Sequence, residues 1–197
     1  MTRVPDPKDL KSREDFDAWF EGSRVRTHDK KPLLVYHGAG ERRSVFEPRE
    51  SKRFAAIGGF RSEYAVPSSA SFFTDDRKFA ASFGPEVTEV YLRIVRPLDL
   101  TEGICVNDQD AYDILAAHFG GESPCFTPPH ECWEFLDHPE VVKQIRALGY
   151  DGVMLMERDN TGTAFDTFAV FDSNQVVCAD HPCLRAAATE MRRQKMR

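Results

Sequence analysis

Short apolar segments, each closed within a few residues by Gly or Pro, constrain this chain more than any other feature. Strands and helices are mixed along it without a regular β–α alternation. A doubly wound parallel sheet needs that alternation and fits poorly. No GxGxxG, no Gly-rich loop ending in Gly-Lys-Ser and no HExxH occurs. The pattern predicts an α+β fold with a split or bent sheet. At 197 residues the chain is long enough to bury a core of its own, about 70% of the unfolded surface, without disulfides.

Ser12 offers an N-cap with Asp15 three residues on, and Phe16, Trp19 and Phe20 follow at helical spacing before Gly22. This predicts a short helix that must dock its aromatic stripe. Leu33 to Tyr36 predicts a buried strand ending at His37-Gly38. Residues 44–69, with Gly58-Gly59, Pro67 and little periodicity, predict a mobile loop. Phe72-Phe73 reads as a short strand. Asp75 then caps a helix carrying Phe79, Ala80 and Phe83, stopped by Gly84-Pro85. From Val87 to Val95 the residues alternate, Val90, Leu92 and Ile94 against Tyr91, Arg93 and Val95, as in a strand with two distinct faces.

Asn107 and Asp110 open a helix with Tyr112, Leu115, Ala116 and Phe119 on one face, and Ser123 to His130 reads as a loop. Pro139 opens another helix, with Val141, Ile145 and Leu148 on one face and Gly149 as its stop. Val153 to Met156 and Phe168 to Phe171 predict strands joined by the polar turn of Asp159 to Gly162. Val176-Val177 predicts one more strand.

The net charge of −6 argues against broad coating of nucleic acid. Only the stretch from Arg185 to Arg197 runs the other way, with five basic residues against one acidic; a solvated amphipathic helix and a polyanion-binding arm both fit it. Five cysteines, Cys105, Cys125, Cys132, Cys178 and Cys183, fit a reducing compartment. Two short clusters, Cys125-His130-Cys132 and Cys178-His181-Cys183, leave zinc open beside buried thiols, but no CxxC pair is present, and no metal is expected. No apolar run approaches membrane-spanning length, and an N-terminus broken by Pro5 and Pro7 carries no apolar signal segment. A soluble protein is expected, in the cytoplasm or delivered into that of a host cell.

His37, at a strand end before Gly38, has two readings. It points into a cleft where the glycine lets backbone approach a ligand, or it is satisfied by neighbouring backbone. Four segments bear on that choice: VYHG at Val35 to Gly38, FFTDDRKFAASF at Phe72 to Phe83, IRALGYDGV at Ile145 to Val153, and FAVFDSNQV at Phe168 to Val176. In this order, over about 140 residues, the chain resembles the ADP-ribosyltransferase superfamily on its diphtheria-toxin and poly(ADP-ribose) polymerase side. It is most similar to the small domains of phage, mobile-element and polymorphic-toxin proteins.

The resemblance implies split, bent β-sheets around an NAD cleft with peripheral helices. The domain would span residues 31–182, between an N-terminal segment (1–30) with a docking helix and a basic tail (183–197). It implies that His37 holds the adenosine ribose, that the Gly38 backbone bonds the nicotinamide amide, and that Phe72, Phe73 and Phe83 supply aromatic surface. Ordinary core packing is the other reading of Phe72 and Phe83. Phe72 stands where the family has tyrosine, keeping the ring and losing the hydroxyl. Thr167 stands where the family has glutamate. Asp166, one step earlier, would bring a charge inward only through a bulge, since neighbouring strand residues face opposite ways. Arg53 and Arg61 are candidates to clamp the pyrophosphate, or are surface charges. Tyr64 is a candidate for the missing phenol, and Gln175 is read as a structural anchor.

The function implied is NAD-dependent mono-ADP-ribosyl transfer to a macromolecular acceptor, protein rather than naked nucleic acid, by a toxin, effector or phage factor. A catalytically silent domain of the same fold and an NAD glycohydrolase are the other readings, with a metal-dependent nuclease or protease more distant.

Overall fold

The Ser12 hydroxyl accepts the Asp15 amide hydrogen bond at 3.1 Å, and the Asp15 carboxylate accepts from the Ser12 amide at 3.0 Å. This reciprocal capping box opens α1 (Arg13–Phe20), whose Phe16, Trp19 and Phe20 are all buried. The helix and stripe read from the sequence are both present. In a computed structural model the chain is described at residues 5–46, 50–57, 60–67, 69–101, 136, 139–159 and 161–185. The expected helix around Tyr112, the loop before His130, and Cys105, Cys125 and Cys132 lie outside these residues. Its secondary structure is α+β, and the chain divides into two units, crossing between them at 46/47, 72/73, 96/97 and 171/172.

The first unit comprises Met1–Phe46, Phe73–Arg96 and Asp172–Arg197. Its strands are β1 (Val35–Ala39), the second half of β4 (Ser71–Thr74), β5 (Glu86–Leu92) and β9 (Val176–Cys178). They run antiparallel in the order β4-β1-β5-β9. The first strand begins two residues later than expected and runs through His37 and Gly38, because its ladder with β5 continues to Ala39↔Glu86. The two-faced alternation holds beyond β5: Val90, Leu92 and Ile94 are fully buried. The ladder itself stops at Leu92, where the Ser23 hydroxyl takes over. It donates to the Leu92 carbonyl at 2.8 Å and accepts from the Ile94 amide at 3.3 Å. Helix α1 packs its aromatics with Leu10, Val177 and Cys183, and the Trp19 indole donates to the Asn174 carbonyl at 3.1 Å.

Helix α2 (Arg77–Ala81) is capped by Asp76, which accepts from the Phe79 amide at 2.8 Å. Asp75, the expected cap, is one residue too early for its carboxylate to meet the third helical amide.

The second unit comprises Glu47–Phe72 and Pro97–Phe171. Here the expected loop over residues 44–69 is corrected. Strands β2 (Glu50–Ile57) and β3 (Phe60–Pro67) pair antiparallel from Glu50↔Pro67 to Ile57↔Phe60. Gly58-Gly59 between two strand-length runs is a hairpin signal that the weak hydrophobic alternation obscured. Strand β6 (Pro97–Asp99) runs parallel to β7 (Gly152–Arg158), and β7 pairs antiparallel with β8 (Ala164–Val170). Helix α3 (Pro139–Ala147) lays Val141, Val142 and Ile145 on Val153, Leu155 and Ala169. It ends one residue before Leu148, which leaves the apolar stripe and is exposed.

The β7–β8 turn is tied at Asp159, whose Oδ1 accepts from the Thr161 amide at 2.8 Å and the Thr163 amide at 2.9 Å. Gly162 supplies the left-handed residue, at φ +84°. Among the described residues no helix is long and apolar enough to cross a membrane, and no three His, Cys, Asp or Glu side chains gather as a metal site would need.

Candidate active site

Strand β1 places His37 beside two aromatic rings. The Tyr36↔Thr74 pairing sets His37 across from Phe73 on the same face of the antiparallel pair. Its ring centroid lies 5.3 Å from that of Phe73 and 5.2 Å from that of Phe46, which meets it edge-on at 86°. Both phenylalanines are buried, while His37 is half-buried. Two close-packed rings fix the plane of the imidazole.

Gly38 has a packing reason of its own beside the ligand approach expected of it. A Cβ there would lie 1.7 Å from the Ala80 carbonyl oxygen, and one on Gly84 would lie 2.2 Å from the Ala39 carbonyl carbon. The backbone that comes close is that of α2 and its following turn. This docking also fixes Phe83, which meets Phe79 edge-on at 5.2 Å and remains 62% exposed. Phe83 is thus not core. It is an open aromatic face on an element pressed against β1.

In the second unit Phe72 points away from Phe73, as successive strand residues must. It is half-buried against the cluster that contains Leu155 and Ala169. Thr167 lies on β8 opposite Leu155, only 1% exposed, and its hydroxyl donates to Glu157 Oε2 at 2.5 Å. The ladder pairs every residue from Gly152↔Val170 to Arg158↔Ala164, with no bulge. The condition for turning Asp166 inward is therefore not met: it is exposed, on the face opposite Thr167. Arg53 sits in β2 across from Tyr64, and Arg61 in β3 across from Ala56. Gln175 is an anchor, its Nε2 donating to the Arg93 carbonyl at 3.1 Å.

The candidate residues thus form two sets, His37, Gly38, Phe73 and Phe83 in the first unit and Arg53, Phe72, Asp166 and Thr167 in the second. Phe46 and Glu157 were not foreseen. Phe46 lies in a stretch without periodicity, whereas Glu157 continues the alternation of Val153 and Leu155 and was readable once the turn fixed the register. The cluster at Cys178, His181 and Cys183 sets a histidine beside a buried thiol. His181 Nδ1 is 3.0 Å from Cys183 Sγ, but burial pushes both thiols upward in pKa, toward the unreactive protonated form.

Compared with known proteins, residues 28–182 match the model of a family described as ADP-ribosyltransferase in polyvalent proteins. No curated protein matches the chain. Among solved structures, one titled "Crystal structure of an anti-CRISPR protein" aligns at 18% identity and a TM-score of 0.34, covering 74% of this chain and 94% of that one.

Proposed function

The chain belongs to the family of ADP-ribosyltransferases in polyvalent proteins, and from that premise we propose that it is a mono-ADP-ribosyltransferase with NAD as substrate and a macromolecule, of protein class, as acceptor. The observation that carries this reading is His37, oriented on β1 by Phe46 and Phe73 within the matched region. An imidazole fixed in this way suits a directed hydrogen bond to a ribose hydroxyl, as the family resemblance implies. Exposed Phe83 has the form of a stacking face for a planar ring.

In the reaction the bond between nicotinamide and ribose C1 breaks, and its electron pair goes to the ring nitrogen, neutralising the pyridinium. The acceptor's lone pair forms the new bond to C1 and its proton is released. Nicotinamide leaves as a neutral molecule. The net charge of −6 favours a protein acceptor over a polyanion. A toxin, effector or phage role in a cytoplasm goes with this reading.

The test is incubation with NAD, measuring free nicotinamide, followed by mass spectrometry of a co-incubated lysate. Nicotinamide release with one ADP-ribose added to a macromolecule supports transfer, and release with only free ADP-ribose identifies a glycohydrolase. No release by folded protein overturns the reading in favour of a silent domain.

A further inference from the structure

The β7–β8 ladder brings a carboxylate to a buried residue that has none of its own. Leu155 faces Thr167 and Glu157 faces Phe165, so Glu157 and Thr167 are diagonal neighbours on one face. That face continues from the apolar run of Val153, Leu155 and Ala169, and the Thr167 hydroxyl donates to Glu157 Oε2. Glu157 is half-buried, so a charge on it is less screened than one in bulk water. Phe72 packs on the same cluster. The only carboxylate in the sequence next to Thr167, Asp166, lies exposed on the opposite face.

The geometry points to Glu157 as the catalytic carboxylate for NAD cleavage, with Thr167 as its positioning residue, and this rests on the transferase reading above. As the C1–nitrogen bond breaks and its electron pair moves to nicotinamide, positive charge develops at C1 and the ribose ring oxygen. A neutral threonine cannot balance that charge. A carboxylate held beside it can, and it can also take the acceptor's proton before passing it to water. Fixing Oε2 through the Thr167 hydroxyl sets the plane of the carboxylate before the reaction, which is the condition for electrostatic stabilisation without reorganisation. The negative group lacking at position 167 of β8 is thus contributed by β7, ten residues earlier.

Nicotinamide release is measured for the whole chain and for Glu157→Gln, Glu157→Asp, Asp166→Asn, Thr167→Val, Thr167→Ser and His37→Ala, with NAD affinity and thermal midpoint recorded for each. Glu157→Gln is expected to lower kcat about 10²–10³-fold while NAD affinity stays within about threefold. Thr167→Val is expected to lower kcat about tenfold at unchanged KM, with Thr167→Ser restoring it, since the loss comes from orientation. Asp166→Asn is expected to behave as wild type. If Glu157→Gln does not fold, Glu157→Asp, one methylene shorter, is read in its place. Near-wild-type release by the folded Glu157 variants, with His37→Ala inactive, overturns the assignment of Glu157 and leaves the transferase reading standing. A loss in Asp166→Asn matching that expected of Glu157→Gln overturns it as well. No release by folded wild-type protein overturns both.

Discussion

Gly38 lies under Ala80 so closely that a Cβ on the glycine would sit 1.7 Å from the Ala80 carbonyl oxygen. The atom it meets is helix backbone, which cannot swing aside as a side chain tip would. Gly38→Ala must therefore push α2 off β1. The expected cost is about 1–3 kcal/mol, the range for overpacked sites, read as a lower denaturation midpoint. Gly84→Ala, facing Ala39 at 2.2 Å, should behave alike.

Phe83 separates folding from binding. At 62% exposure its ring contributes little to the core, so Phe83→Ala should change stability by no more than about 0.5 kcal/mol. If it forms a stacking wall for NAD, affinity should fall by about 1–3 kcal/mol, the worth of one aromatic–base stack. Titration calorimetry against NAD checks this; unchanged affinity would remove Phe83 from the site.

Ser23 tests the end of β5. Its buried hydroxyl serves the Leu92 carbonyl and the Ile94 amide together. Ser23→Ala leaves both without that partner and should cost about 1–3 kcal/mol in chemical denaturation.

The α1 cap should give stability an acid dependence. The amide hydrogen bond from Lys11 is the largest cause holding the Asp15 carboxyl below the usual carboxylate range. Because the folded pKa is the lower one, the stabilising contribution is fully present above the unfolded pKa and is lost as pH falls through the folded value. Thermal melts from neutral to strongly acidic pH should show a smaller acid loss in Asp15→Asn than in wild type. Identical slopes would show that the capping box does not contribute.

Much of the fold was legible locally. The α1 cap and its aromatic stripe, the alternation through β5, and the Asp159–Gly162 turn each rest on residues a few positions apart, where propensity, capping and period act directly. The order of the family's segments was also readable, and it named His37 and the Thr167 position.

Partnership across strands was decided only by the tertiary structure. Phe72 and Phe73 are adjacent in sequence yet turn to different neighbours, one to the Leu155 and Ala169 cluster and the other to His37. Gly38 is explained by Ala80, forty-two residues later, and Thr167 acquires a carboxylate from Glu157 because the turn sets the β7–β8 register. A one-residue slip of that register would send every side chain of a strand to the other face. Local sequence thus made most of the elements legible, though not the β2–β3 hairpin or β6. Their pairing determined which side chains meet, and with it whether the neutral position on β8 stands beside a charge.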